Sequence, residues 1–331
     1  MKPSRKNSGF TLVELLVAIG VLLIMGLIFS QVISMTGSAI HLSNRSVDAS
    51  AQAYLAFDRI RTDLAAAVKR PDVDFIAQNP TTPVGGGNIL LFLANTPSAV
   101  SLPSGVTNRN ISMVAYQVAV DADNKGLPCL IRGSKPVSWT GTTTSTGFMG
   151  LSNGLPLSFA SLPAAFLPST TSTPSDFDVL APGVIRLIVG FELYPDNQPV
   201  TLSDGSTPNP ATAQGQVVYA PPIISLTPSG GGSPVNYTNW QRISALVVGV
   251  VALNTDALTM ANAAQVTALA NTFTQPSPGA LPLSSWSTVA NSLAASGPTS
   301  VPLPIRESVR VYQQSFPLTP YGAQGVGTQG D

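Results

Sequence analysis

Glu14 is the residue in this chain whose position most demands a chemical explanation. It lies within residues 10–29 (FTLVELLVAIGVLLIMGLIF), where every other residue except Thr11 is apolar. A carboxylate at mid-bilayer costs about 2.5–3.5 kcal/mol on insertion scales. The same segment holds fourteen Leu, Ile, Val and Phe residues, each favouring insertion by about 0.3–0.6 kcal/mol, or roughly 4–8 kcal/mol together. The segment therefore inserts despite Glu14, and the intramembrane carboxylate stands as a functional residue in need of a partner.

Other groups with chemical potential are few. His41 is the single histidine and Cys129 the single cysteine. A hydrolase with a histidine base, or most zinc enzymes, would need to be built around that one His, and no intrachain disulfide or cysteine metal cluster is available. His41 reads as a solvated interfacial residue and Cys129 as a small buried hydrophobe in a strand. Residues 121–126 (DADNKG) open like a calcium loop but lack a third acidic position and the distal glutamate. Between two strands they read as a hairpin turn. Asp72 with Asp74, and Asp176 with Asp178, have same-side spacing on an extended chain and read as solvated loop residues. The runs Gly85-Gly86-Gly87 and Gly230-Gly231-Gly232 lack the Lys-Ser/Thr ending of a phosphate loop. Trp139, Trp240 and Trp286 read as core or interface packing. No enzyme and no cofactor site emerges.

Composition agrees with that result. Charged residues are 10% of the chain, and Gly and Pro number 28 and 29, which suits an extracytoplasmic protein with many turns. No basic stripe exists to neutralise phosphates, so nucleic-acid binding is not expected. Three of the sixteen basic residues, Lys2, Arg5 and Lys6, fall in the first six positions. That basic leader predicts a cytoplasmic N-terminus and export of the remainder.

Twenty helical residues at about 1.5 Å each span about 30 Å, one bilayer core. Three readings of the segment compete. A secretory signal with residues 36–39 as its cleavage site has too long an apolar stretch. A plain membrane anchor leaves Glu14 unexplained. The third reading accounts for the pieces together. The string Lys6-Asn7-Ser8-Gly9-Phe10-Thr11-Leu12-Val13-Glu14 resembles the prepilin peptidase site of type IV pilins and type II secretion pseudopilins. The resemblance implies cleavage after Gly9, N-methylation of Phe10, and assembly with other pilin subunits through Glu14. Cleavage creates a cationic amine on Phe10, and a carboxylate in low dielectric gains most from a close opposite charge. In the family that charge belongs to a neighbouring subunit.

Residues 40–70 continue the helix with a stripe of Val47, Ala51, Tyr54, Phe57, Ile60, Leu64 and Ala67 at three- and four-residue spacing. Asp58 with Arg61 and Arg59 with Asp63 are placed to pair. Lys69, Arg70 and Pro71 mark the end, giving a helix of roughly 90 Å. Beyond it, strands are expected at 88–94, 111–120, 127–132, 184–194, 216–220, 243–253 and 308–316. The stretches 81–88, 139–146, 168–175, 195–213 and 225–236 are expected as loops. Residues 256–273 show helical spacing, and 283–295 read as a second helix.

The expectation is therefore an α+β, pilin-like fold in which a long N-terminal helix packs on an antiparallel sheet. The parts are a leader at 1–9 and a helix at 10–70, transmembrane over 10–29 and amphipathic over 40–70. A β-rich domain follows at 71–320 with a helical insertion at 256–296, and then a frayed tail at 321–331. The order of elements is similar to that of J-type minor pseudopilins. The closing strand and helical insertion resemble pilin-like cassette proteins of verrucomicrobial genomes. The resemblance implies a structural subunit, processed by prepilin peptidase and held in inner-membrane lipid, with its C-terminal domain in the periplasm. A minor pilin of an extended pilus and an anchored binding protein that never polymerises remain as alternatives.

Overall fold

The computed structural model describes residues 11–68, 76–78, 89–96, 111–121, 126–138, 149–150, 177–193, 201–202, 217–219, 222–226, 235–238 and 243–318. The chain forms two compact units, Met1–Val47 and Asp48–Asp331.

Helix α1 (Leu12–Ala65) contributes to both. In the first unit its stretch Leu12–Gly37 is long and apolar enough to cross a membrane, and none of it is buried. In the second unit α1 ends at Ala65, five residues short of the expected stop. Val68 N donates to Leu93 O at 2.8 Å and Ala67 bridges Ala94. The chain leaves the helix there because the neighbouring strand offers backbone partners that outweigh further helical turns.

Three sheets follow. The first runs β1 (Ile76–Gln78), β2 (Ile89–Ala94), β3 (Ser112–Asp121), β4 (Leu127–Ser138) and β5 (Met149–Gly150), with β6 (Phe177–Ala181) also on β4. Its pairings are antiparallel except the two-residue β4–β5 ladder, which is parallel. The second contains β7 (Val184–Leu193), β9 (Val217–Val218), β12 (Ile243–Ala252) and β13 (Arg310–Pro317) in the antiparallel order β13-β12-β7-β9. A third small sheet joins β8 (Thr201–Leu202), β10 (Pro222–Leu226) and β11 (Val235–Thr238). The fold is α+β with antiparallel sheets, as the residue pattern predicts.

Several details differ from expectation. Asp178 lies exposed on strand β6 rather than in a loop, and β8, β10 and β11 overlap stretches read as loops. Polar and Pro-containing strands of two to five residues carry too little apolar alternation to be recognised. Residues 122–125 lie outside the described residues, but the strands on either side pair antiparallel: Asp121 pairs with Leu127, and Gly126 takes a positive φ of 68°, which glycine adopts without strain. Cys129 is buried in β4.

The helical segment is also divided more finely. In place of one helix over 256–273 there are α2 (Thr255–Met260) and α3 (Ala263–Asn271). Asn262 separates them by capping α3: its side chain accepts from Gln265 N at 2.9 Å, and Gln265 Oε1 accepts from Asn262 N at 3.1 Å. This reciprocal box stabilises a new N-terminus more than helix continuation would. Helices α4 (Pro282–Ser296) and α5 (Leu303–Glu307) follow before β13.

These elements account for the apolar runs in the second sheet. On one face of β7 and β12, Leu187, Val189, Leu246 and Val248 join a core with α1. On the other, Ile188 and Val251 pack with Leu269, Phe273, Trp286 and Ile305 of the helical segment. A strand covered on both faces has no solvent side, so it need not alternate.

Candidate functional site

Helix α1 carries one of the three chemistry-bearing N-terminal residues. Of the three, Gly9 and Phe10 lie outside the described residues, and Glu14 sits in the first turn of α1. The structure gives Glu14 partners that spacing arguments overlooked. Its Oε2 accepts from Thr11 N at 2.9 Å and from Thr11 Oγ1 at 3.0 Å, while Glu14 N donates to Thr11 Oγ1 at 3.3 Å. This is a capping box, in which Thr11 and Glu14 satisfy each other's otherwise orphaned helix-terminal groups. Its signature, Thr-x-x-Glu, was readable at positions 11–14. Both bonds fall on Oε2, and among the described residues nothing donates to Oε1.

Beyond Glu14 the helix is bare. Leu16, Leu22, Leu23, Leu27 and Phe29 are each at least 60% exposed, an apolar surface far larger than a soluble monomer tolerates. His41 lies within α1, its side chain outside the described atoms.

The C-terminal part of α1 is seated differently. Its buried stripe is Ala49, Ala53, Ala56, Phe57, Ile60 and Leu64, whereas Val47, Ala51 and Tyr54 of the expected stripe are exposed. Both stripes satisfy helical periodicity. The alanine stripe is buried because small side chains let the helix backbone approach the sheets closely. Tyr54 packs at the margin, its ring 6.5 Å from that of Tyr312, and Phe57 lies 6.3 Å from Phe316. Asp48 Oδ2 accepts from Thr255 N at 2.6 Å, tying α1 to the start of α2.

At the far end of this seat is a buried ionic cluster. Asp63, 1% exposed, receives Arg132 in bidentate fashion, Nε to Oδ2 at 2.6 Å and Nη2 to Oδ1 at 3.0 Å. The Tyr116 hydroxyl donates to Oδ2 as well, and Arg59 approaches to 3.7 Å. Tyr116 and Arg132 are cross-strand partners in β3 and β4, so both side chains leave the same sheet face toward α1. The Tyr116 ring stacks 6.5 Å from Phe92. Burial, with the Asp63 charge, holds the Tyr116 phenol well above its ordinary pKa. Burial alone would lower Arg132, but its hydrogen bonds to Asp63 and the Asp63 charge outweigh that and raise it. The expected Arg59–Asp63 and Asp58–Arg61 pairs both form, yet the dominant partner of Asp63 is Arg132, 69 residues away. No local pattern predicts a pairing over that separation.

Chemically, then, α1 carries one carboxylate satisfied by its own first turn and one satisfied by a sheet. Comparison with known proteins bears on the first. Residues 4–30 match the family model for the prokaryotic N-terminal methylation motif. No curated protein matches the chain. The motif supports a type IV pilin-like family, which is structural, and it implies processing by prepilin peptidase and assembly with other pilin subunits. With the apolar stretch of α1, it gives the chain the character of a single-pass membrane-anchored protein.

Proposed function

We propose that the chain is a minor pseudopilin-like structural subunit of a periplasmic filament of the type II secretion or type IV pilus kind. Prepilin peptidase cuts after Gly9 and Phe10 becomes N-methylated. Leader residues 1–9 face the cytoplasm, α1 enters the inner membrane, and the β-rich part at 71–320 stands in the periplasm. The observation that carries this reading is the methylation motif at residues 4–30, which runs into a helix with no buried residue over Leu12–Gly37. An element so apolar and so bare requires lipid before assembly and neighbouring helices after it. The second Glu14 oxygen, without a described donor, is the acceptor available to a neighbouring subunit's Phe10 amine.

Intact-mass measurement of protein purified from its host tests the processing. The expected species lacks residues 1–9 and carries one added methyl group; a species beginning at Met1 overturns the proposal. Co-purification of tagged subunits tests the assembly. Glu14→Ala is expected to insert normally and lose co-assembly, while Thr11→Ala, which removes the cap but keeps the carboxylate, co-assembles.

The capping box favours one second reading, an anchored protein that does not polymerise, because Glu14 is satisfied without any neighbour. Under that reading Glu14→Ala leaves every subunit contact unchanged. The neighbouring genes distinguish a secretion filament from an extended pilus, through the kind of assembly ATPase and outer-membrane pore they encode.

A further inference from the structure

Helices α4 and α5 and the start of β13 line an open cavity of about 480 Å³, within the size range of small-ligand sites. Its lining is more polar than apolar: charged Arg306, Glu307 and Arg310 and the amide of Asn291 lie beside Ala290 and Val311. Each guanidinium is fastened at one corner only. Arg306 Nη1 donates to Leu293 O at 2.9 Å and Gly297 O at 3.5 Å, and Arg310 Nη1 donates to Glu307 O and Val309 O, both at 2.8 Å. Gly297 leaves room for the Arg306 stem: a Cβ there would meet Arg306 Cδ at 2.6 Å.

The remaining donors are unused. Arg306 Nε is buried with no hydrogen-bond partner. Among the described residues, nothing accepts from Nη2 of either arginine or from Arg310 Nε, and neither arginine has a carboxylate partner. Two cations against Glu307 leave one positive charge in the cavity. A planar fork of free N–H groups matches a carboxylate in geometry as well as charge. The smaller apolar part of the lining, with Ala290 and Val311, suits a short aliphatic body, and a phosphate dianion beside Glu307 would leave one negative charge unmatched.

We propose that this cavity binds a small ligand bearing one carboxylate on an aliphatic body, held by Arg306 and Arg310. The free C-terminus of a peptide and a free aliphatic acid both present that chemistry. The site lies within residues 287–311 and stands whether or not the chain enters a filament.

Calorimetric titration of the full chain in detergent micelles tests this with four probes: N-acetyl-alanyl-valine, its C-terminal amide, butyrate and inorganic phosphate. The carboxylates are expected to bind with Kd on the order of 1 mM or tighter, and the amide roughly tenfold more weakly. Tighter binding of the peptide than of butyrate assigns the site to chain ends; equal binding assigns it to free acids. Arg310→Gln is expected to weaken the acid about tenfold. Ala290→Leu fills the cavity with both arginines intact and is expected to abolish binding, so a folding defect in the first variant leaves the second decisive. Equal binding of acid and amide, preference for phosphate, or no carboxylate binding would reduce the arginines to helix C-terminal caps and overturn the proposal. Unchanged binding in both variants overturns it too.

Discussion

Two carboxylates on one helix, Glu14 and Asp63, are handled in opposite ways. Glu14 is exposed and takes both its bonds from Thr11, three residues away. Asp63 is buried and takes its bonds from Tyr116 and Arg132, which reach it from neighbouring strands. The first is a local arrangement that any helix end can make alone. The second exists only when the helix and the first sheet are docked. Helix α1 is thus specified by tertiary structure at one end and left open to other molecules at the other.

The largest expected effect breaks the second arrangement. Asp63→Ala leaves Arg132 and Tyr116 buried without their acceptor and is expected to lower stability by about 3–5 kcal/mol, read from denaturant unfolding of the full chain in micelles. A double-mutant cycle with Arg132→Ala should recover part of that loss; strict additivity would mean the pair does not hold the helix. Next, Ala53→Leu tests the alanine seat, where added volume against the sheets is expected to destabilise by about 1–3 kcal/mol. Tyr116→Phe removes one donor and is expected to lower stability by about 1 kcal/mol.

That variant also has a pH signature. Burial raises the Tyr116 pKa, with Asp63 adding to it, so above about pH 10 the unfolded chain loses a proton that the folded chain keeps. The unfolded state then binds fewer protons and stability falls as pH rises. Tyr116→Phe should make that alkaline decline shallower. Tyr219 and Tyr312, also raised by burial, keep it from vanishing. The smallest effect lies at the other end: Thr11→Ala is expected to leave the unfolding midpoint of the sheet-bearing unit unchanged. A shift there would erase the contrast between the two carboxylates.

The N-terminal methylation motif was legible because it is written in nine consecutive residues followed by an apolar run. So were β2, β3, β7 and β12, whose apolar residues carry the sheet. What stayed hidden depends on distance along the chain. The Asp63–Arg132 pairing links positions that share no local pattern. The expected seat of α1 holds at Phe57, Ile60 and Leu64 but was misassigned before them, because periodicity weights Tyr54 above Ala53, whereas packing against a sheet rewards the smaller residue. The α2–α3 break turned on one hydrogen-bonded Asn262, whose capping role does not disturb the apolar spacing. Residues 81–88, expected as a loop, lie outside the described residues, as do Trp139 and Trp240.

The place of Asp63, two residues before α1 ends at Ala65, has a mechanical consequence. Tension drawn along the helix axis reaches the ionic cluster only after loading the contacts of Ala49, Ala53, Ala56 and Ile60. The cluster works like a rivet at the end of a lap joint, resisting shear rather than peeling. A load applied at the N-terminal end is shared along the whole overlap before the last fastening gives way.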